Sequence, residues 1–129
     1  VTARRSVASG GRWEAAAGYS RAVVIGDMCW VAGTTDAGSD GRSLHPDDMA
    51  AQTEAVLGIV GRALEEAGFR LVDVVRTRMF VTDISRSTDV LAVHGAVFGA
   101  IRPAATIVEV SALIDPSLLI EIEVDAHRG

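Results

Sequence analysis

Hydrophobic positions along this chain recur at two periods, and the switches between them mark the elements. "YSRAVVIG" and "MCWVAGTT" are β-rich runs separated by Gly26-Asp27, which reads as a two-residue hairpin turn with glycine first. A polar, glycine-bearing loop, "DAGSDGRSLH", follows. Pro46 then sits where a helix can begin, with Asp47 and Asp48 in its positive first turn. Met49, Thr53, Val56, Leu57, Val60, Leu64 and Ala67 fall on one stripe at helical spacing, and Gly68 is a natural stop. "VDVVRTRMFVTD" is a strand, and "ISRSTD" offers Ser and Asp as N-cap candidates for a second helix. That helix carries Val90, Val93, His94, Val97, Phe98 and Ile101 on one face and ends before Pro103. "AATIVEVSAL" and "LLIEIEVDA" are the last two strands, joined by a turn around Asp115-Pro116.

With a first strand at "RRSVAS", the order is β-β-β-α-β-α-β-β. Strand–helix–strand crossovers favour parallel neighbours, and hairpins at the two ends would be antiparallel. The expected architecture is α+β: one mixed sheet with two helices on one face, in a single domain spanning residues 1–129. Several strands do not alternate to polar: Val23 to Ile25 and Met28 to Ala32 run together, and Val74, Val75, Met79, Phe80 and Val81 serve both faces. A sheet apolar on both sides needs a second cover, so a homo-oligomer is expected, with pockets where subunits meet.

Composition narrows the function classes. Hydrophobic residues make up 49% of the chain, too many for a disordered segment. No apolar run is long enough to span a bilayer, and "VTARRSVASGG" has no apolar h-region, so neither a membrane partner nor a signal peptide is expected. A single cysteine, Cys29, suits a reducing cytoplasm. The net charge of −5, with scattered arginines, argues against a nucleic-acid partner.

The candidate chemistry is sparse. Cys29 lies between Met28 and Trp30 in an apolar strand and reads as an inert buried thiol. His45, His94 and His127 have no zinc-ligand spacing, so no metal or other cofactor is expected; His94 reads as a satisfied core histidine. "GYSRA" lacks the second glycine of a nucleophile elbow and runs into a strand. In "IEIEVD", Glu121, Glu123 and Asp125 share one strand face, either as a solvated edge or with a carboxylate turned into a subunit cleft where burial raises its pKa. "GRWEAAAGYS" pairs Trp13 and Tyr19 with Glu14 in a segment that need not be regular.

The ordered set "GYSRAVVIGDMCWVAGTT", "QTEAVLGIVGRALEEAGFRLVDVVRTRMFVTDI", "RPAATIVEV" and "LLIEIEVDA" resembles the Rid family, also called YjgF or L-PSP, over nearly the whole chain. The resemblance implies a chorismate-mutase-like fold and a homotrimer with ligand clefts between subunits. Well-understood members hydrolyse 2-imino and enamine acids, and the resemblance carries their glutamate near the attacking water onto Glu121. It carries their pocket tyrosine onto Tyr19 and the backbone around the glycine that ends strand three onto Gly33 and Thr34. Their carboxylate-clamping arginine falls at Ala105, so the chain looks like a divergent branch with a rebuilt cleft. Glu121 and Glu14 are the acid–base candidates. Trp13 and Tyr19 are the expected walls, and Gly33, Thr34, Ala105 and Ile107 the ligand-contacting positions. Arg102, biased to extended backbone by Pro103, and Arg21 are possible substitutes for the clamp.

The leading expectation is a trimer that binds or processes a small metabolite between subunits. With two carboxylates and no standard arginine, its cleft would prefer neutral or cationic ligands. The alternatives are a 2-imino acid or enamine deaminase with a substitute arginine, and a non-catalytic ligand-sensing module. The endoribonuclease activity that named some relatives ranks last, because no basic groove or aromatic-basic interleaving is visible.

Overall fold

The computed structural model describes residues 3–129, with the backbone alone for Arg12. In chain order the elements are β1 (Arg4–Val7), α1 (Arg12–Ala17), β2 (Ala22–Ile25), β3 (Met28–Thr34), α2 (Met49–Ala67), β4 (Val74–Val81), α3 (Ser87–Phe98), β5 (Ala104–Glu109) and β6 (Ile120–His127). Short 3₁₀ turns precede β4 and α3. The strands form one mixed sheet in the order β1-β2-β3-β6-β4-β5. Among the described residues, no helix is long and apolar enough to cross a membrane.

The predicted β-α order is present, with the short helix α1 added in the segment that the sequence left irregular. α2 packs on β1, β2, β3 and β6, and α3 packs on α2, so both long helices cover the same sheet face. The α2 stripe read from the sequence is buried, together with Gln52 and Ala63. The helix begins at Met49 rather than at Pro46. Asp48 is its N-cap, accepting a hydrogen bond from the Ala51 N–H at 3.0 Å, while Asp47 takes a left-handed φ of 60° just ahead of it. For α3, the nearby cap is Asp83, whose carboxylate accepts from the Ser85 N–H of the preceding 3₁₀ turn; Arg86, at the N-cap of α3 itself, offers no side-chain cap.

β2 and β3 form the predicted hairpin about Gly26-Asp27, with Ile25 opposite Met28 and Gly26 at φ 59°. The second predicted hairpin does not exist. β5 pairs only with β4, in parallel, whereas β6 inserts between β3 and β4, antiparallel to both. The reason lies in the side chains. Ile120, Ile122, Val124 and Ala126 alternate at full burial under the helices, which only a central strand allows, while most of β5 stays exposed at the sheet edge. "IEIEVD" is therefore not a sheet edge.

Among the described residues, the sheet face away from α2 and α3 is left largely open. It carries Trp30 (40% exposed), Val108 (41% exposed) and the half-buried Phe80 beside a polar strip in which Arg78 pairs with Glu123 at 3.4 Å and Asp125 at 3.3 Å. Trp30, Arg78, Glu123 and Asp125 line, with Tyr19, a hollow of about 640 Å³. The face expected to be apolar is thus mixed, because β6 contributes its acidic side to it.

Candidate functional site

Glu121 leaves β6 on the side opposite the core residues Ile120 and Ile122, and the local structure of β3 makes room for it. The β3–β6 register shifts between Val31 and Thr34, and Gly33 sits in that irregularity. A methyl group built on Gly33 would lie 2.6 Å from Glu121 Oε2, so any other residue there would displace the carboxylate. Burial pushes the Glu121 carboxyl above the usual glutamate range; nearby Arg21 opposes the rise and Glu123 adds to it.

Glu121 opens onto a cavity of about 670 Å³ whose lining includes Trp13, Glu14, Tyr19, Arg21 and Gly33. Helix α1 delivers the first of these. It ends at Gly18, which takes a left-handed φ of 80° and donates its N–H to the Glu14 carbonyl. That stop turns Tyr19 into the cavity mouth. Glu14 itself is buried and occupied: its carboxylate accepts from the Ser9 N–H at 3.2 and 3.3 Å and from the Ser9 hydroxyl. Burial alone would raise its pKa, but the Ser9 hydrogen bonds, the Gly11 N–H and the charge of Arg21 together hold it below the ordinary value. The two acid–base candidates therefore differ in kind. Glu14 is held toward its ionised form as an anchor for the 9–11 segment, whereas Glu121 holds its proton more readily than an ordinary glutamate.

Arg21, at the start of the β2 segment, belongs to the same cavity. Its Nη2 donates to the Gly33 carbonyl at 2.9 Å, its guanidinium lies 5.9 Å from the Tyr19 ring centroid, and its Nε is buried without an acceptor. Arg62 reaches the cavity from α2. The cleft thus holds two guanidinium groups, that of Arg62 and that of Arg21, one of the two substitute-clamp candidates, which the chain reversal at α1 brings back beside β3.

The other expected ligand contacts do not converge in one copy of the chain. Thr34 is fully buried and donates its hydroxyl to the Ala32 carbonyl. Ala105 and Ile107 lie on edge strand β5, in register with Thr77 and Met79, outside the cavity lining. Arg102 is exposed and adopts φ 58° instead of the extended backbone expected before proline. Gly99 stays right-handed after α3, so the reversal that ends the helix falls on Arg102, whose N–H donates to the Phe98 carbonyl at 2.7 Å. Glu109, on β5, accepts from the Ile84 N–H at 3.0 Å.

Cys29 is fully buried, and burial lifts its thiol to about 11 despite Arg5 and Arg128 nearby. His94 is half-buried, with Nε2 2.9 Å from the Thr77 hydroxyl, and burial lowers its pKa. Among the described residues, no group of three or more His, Cys, Asp or Glu side chains is arranged to hold a metal.

Sequence reading missed the α2 wall of the cavity. Ile59, Arg62, Ala63 and Glu66 line it at i, i+3, i+4 and i+7. The available signal was Ile59, an apolar residue off the core stripe. Ser9, the anchor of Glu14, had no such signal, since its role depends on the α1 reversal.

The family model for Endoribonuclease L-PSP matches residues 10–128. In Mycobacterium tuberculosis, Rv2704, a member of the YjgF/YER057c/UK114 family, has a crystal structure that aligns with TM-score 0.89 and 52% identity, covering 98% of this chain and 100% of that one. The YjgF gene product of E. coli aligns with TM-score 0.83 and 31% identity, over 97% of this chain and 99% of that one. An uncharacterised Streptomyces coelicolor protein is 38% identical, over 97% of this chain and 92% of its own length. With the strand order and elements described above, these likenesses settle the family: the chain belongs to the YjgF/Rid family, also termed Endoribonuclease L-PSP.

Proposed function

We propose that this chain processes a small metabolite by proton transfer at Glu121, in a cleft that a second copy of the chain completes. The observation that supports this reading is the half-buried Glu121 carboxylate. It lies in a gap that only Gly33 leaves open, with a proton affinity raised by burial, on the wall of a cavity of small-ligand size. Trp13 and Tyr19 supply aromatic walls, and Glu14 fixes the segment that carries them. Ala105 and Ile107, remote from the cavity of their own chain, would meet the ligand only across a subunit boundary. At Ala105 the chain lacks the arginine that the family resemblance leads one to expect.

A second reading is 2-imino acid or enamine hydrolysis with a substitute arginine, and the position of Arg21 in the cavity favours it. RNA cleavage has less support. The chain carries a net charge of −5 and lays Glu123 and Asp125 along its open sheet face.

Ammonia release from freshly generated 2-iminopropionate, measured for the wild type, Ala105→Arg and Glu121→Gln, separates these readings. Wild-type activity abolished by Glu121→Gln establishes imine hydrolysis with a substitute clamp. Silence in the wild type with activity gained in Ala105→Arg identifies an intact site built for another ligand. Full activity in Glu121→Gln contradicts the role given to Glu121.

A further inference from the structure

Glu121 borders only part of its cavity. The lining continues along two turns of α2, from Ile59 to Glu66, and the volume of about 670 Å³ suits a ligand much larger than a three-carbon acid. Two large aliphatic side chains border the hollow without belonging to the core. Ile59 stands beside the buried stripe of α2 and is itself only half-buried. Ile114 is 94% exposed, more than any other large apolar side chain among the described residues. That exposure is not the mark of a loose loop. The next residue, Asp115, accepts from the Ser117 N–H at 2.9 Å and from the Ser117 hydroxyl. Ser117 in turn accepts from the Ser43 N–H at 2.8 Å and, through its carbonyl, from the Gln52 amide at 3.0 Å, and Leu118 is fully buried. The turn therefore presents Ile114 to the cavity in a fixed place. Exposed aliphatic groups rimmed by charge, here Arg62 and Glu66 on the same α2 wall, have the pattern of a binding surface.

We infer that Ile59 and Ile114 form an apolar subsite of the cavity, and that the ligand is an elongated molecule with a polar reacting head at Glu121 and an aliphatic tail along α2. The inference rests on the reading of the cavity as a ligand site. The tail is the occupant because the apolar part and the Glu121 part form one continuous hollow. A second copy of the chain is the other cover that Ile114 could take, and the test separates the two.

The test measures affinity by calorimetry in the assembled protein for straight-chain 2-oxo acids, from 2-oxopropanoate to 2-oxooctanoate. The matching 2-oxo amides are run beside them, so that the charge of the head does not decide the result. In the wild type, affinity is expected to rise roughly fourfold per added methylene, the worth of burying one CH₂, until the tail fills the subsite. Ile59→Ala and Ile114→Ala are each expected to flatten that rise, cutting the advantage of the longest member over the shortest by roughly tenfold. Val72, another exposed apolar side chain, borders neither cavity, and Val72→Ala is expected to keep the full rise. Should Ile59→Ala unfold, Ile114→Ala in its surface turn carries the test. A flat series in a wild type that still binds the shortest members overturns the subsite alone, as does an undiminished rise in both folded alanine variants. A fall in particle mass on sedimentation of Ile114→Ala assigns that side chain to a second copy and overturns its place in the subsite. Failure of the wild type to bind any member of either series overturns the ligand-site reading beneath it.

Discussion

Glu14 and Glu121 border one cavity and are driven in opposite directions by their surroundings. Glu121 loses water without gaining hydrogen bonds that favour its charge, so its folded pKa lies above the unfolded value. Its contribution to stability is present below about pH 4.5 and is lost as pH rises through the folded value. Glu14 has the opposite sign: the Ser9 bonds favour its anion, giving stability above about pH 4.5 that disappears as pH falls through its depressed value. Glu121→Gln should therefore raise the thermal midpoint at pH 7 while cutting any turnover by about 10²–10⁴-fold, the usual share of a general acid–base group. Paired melting curves and rates check this. A lowered midpoint at pH 7 would mean that the carboxylate is needed for the fold.

At the scale of elements, α2 does more than cover the sheet. Its buried Gln52 donates to the His45 carbonyl at 3.1 Å and the Ser117 carbonyl at 3.0 Å, and accepts from the Leu119 N–H at 2.8 Å. One amide thus ties the loop before α2 to the turn before β6. Asp36 secures the other side of that loop, accepting from the Ser43 hydroxyl and the His45 N–H. Gln52→Ala leaves three backbone groups without their partner and should cost about 3 kcal/mol in urea unfolding, against about 1 kcal/mol for Asp48→Ala at the N-cap. The helices were legible in sequence because burial imposes a 3.6-residue period, and the first hairpin because Gly26 accepts a positive φ. The placement of β6 was less legible. In the sequence "LLIEIEVDA" follows "AATIVEVSAL" by a short turn, which suggests a hairpin, but its uninterrupted Ile-Ile-Val-Ala face demands the middle of the sheet. In the same way Glu121 could be read from its strand and Gly33 from its place near the end of β3, while the α2 wall enters the site only through tertiary packing.

On the scale of the whole molecule, the uncovered sheet face and the exposed strand β5 remain to be accounted for. Trp30, Val75 and Val108 are all 40% or more exposed, apolar groups that a second cover would bury. With the split between the Glu121 cavity and the β5 positions, this leads us to expect a homo-oligomer, and the family resemblance implies that it is a trimer of the 13.5 kDa chain. Sedimentation should give three chains per particle, and Val108→Asp should lower that number without unfolding the protein. A monomeric wild type would contradict the account of the open face. The central claim, that Glu121 is held ready for proton transfer, is tested most directly by titrating its carboxyl carbon by NMR in the assembled wild type, assigned against Glu121→Gln. The account predicts a midpoint above the ordinary glutamate value of 4.5. A midpoint at or below 4.5 would contradict it and leave Glu121 a binding or structural group.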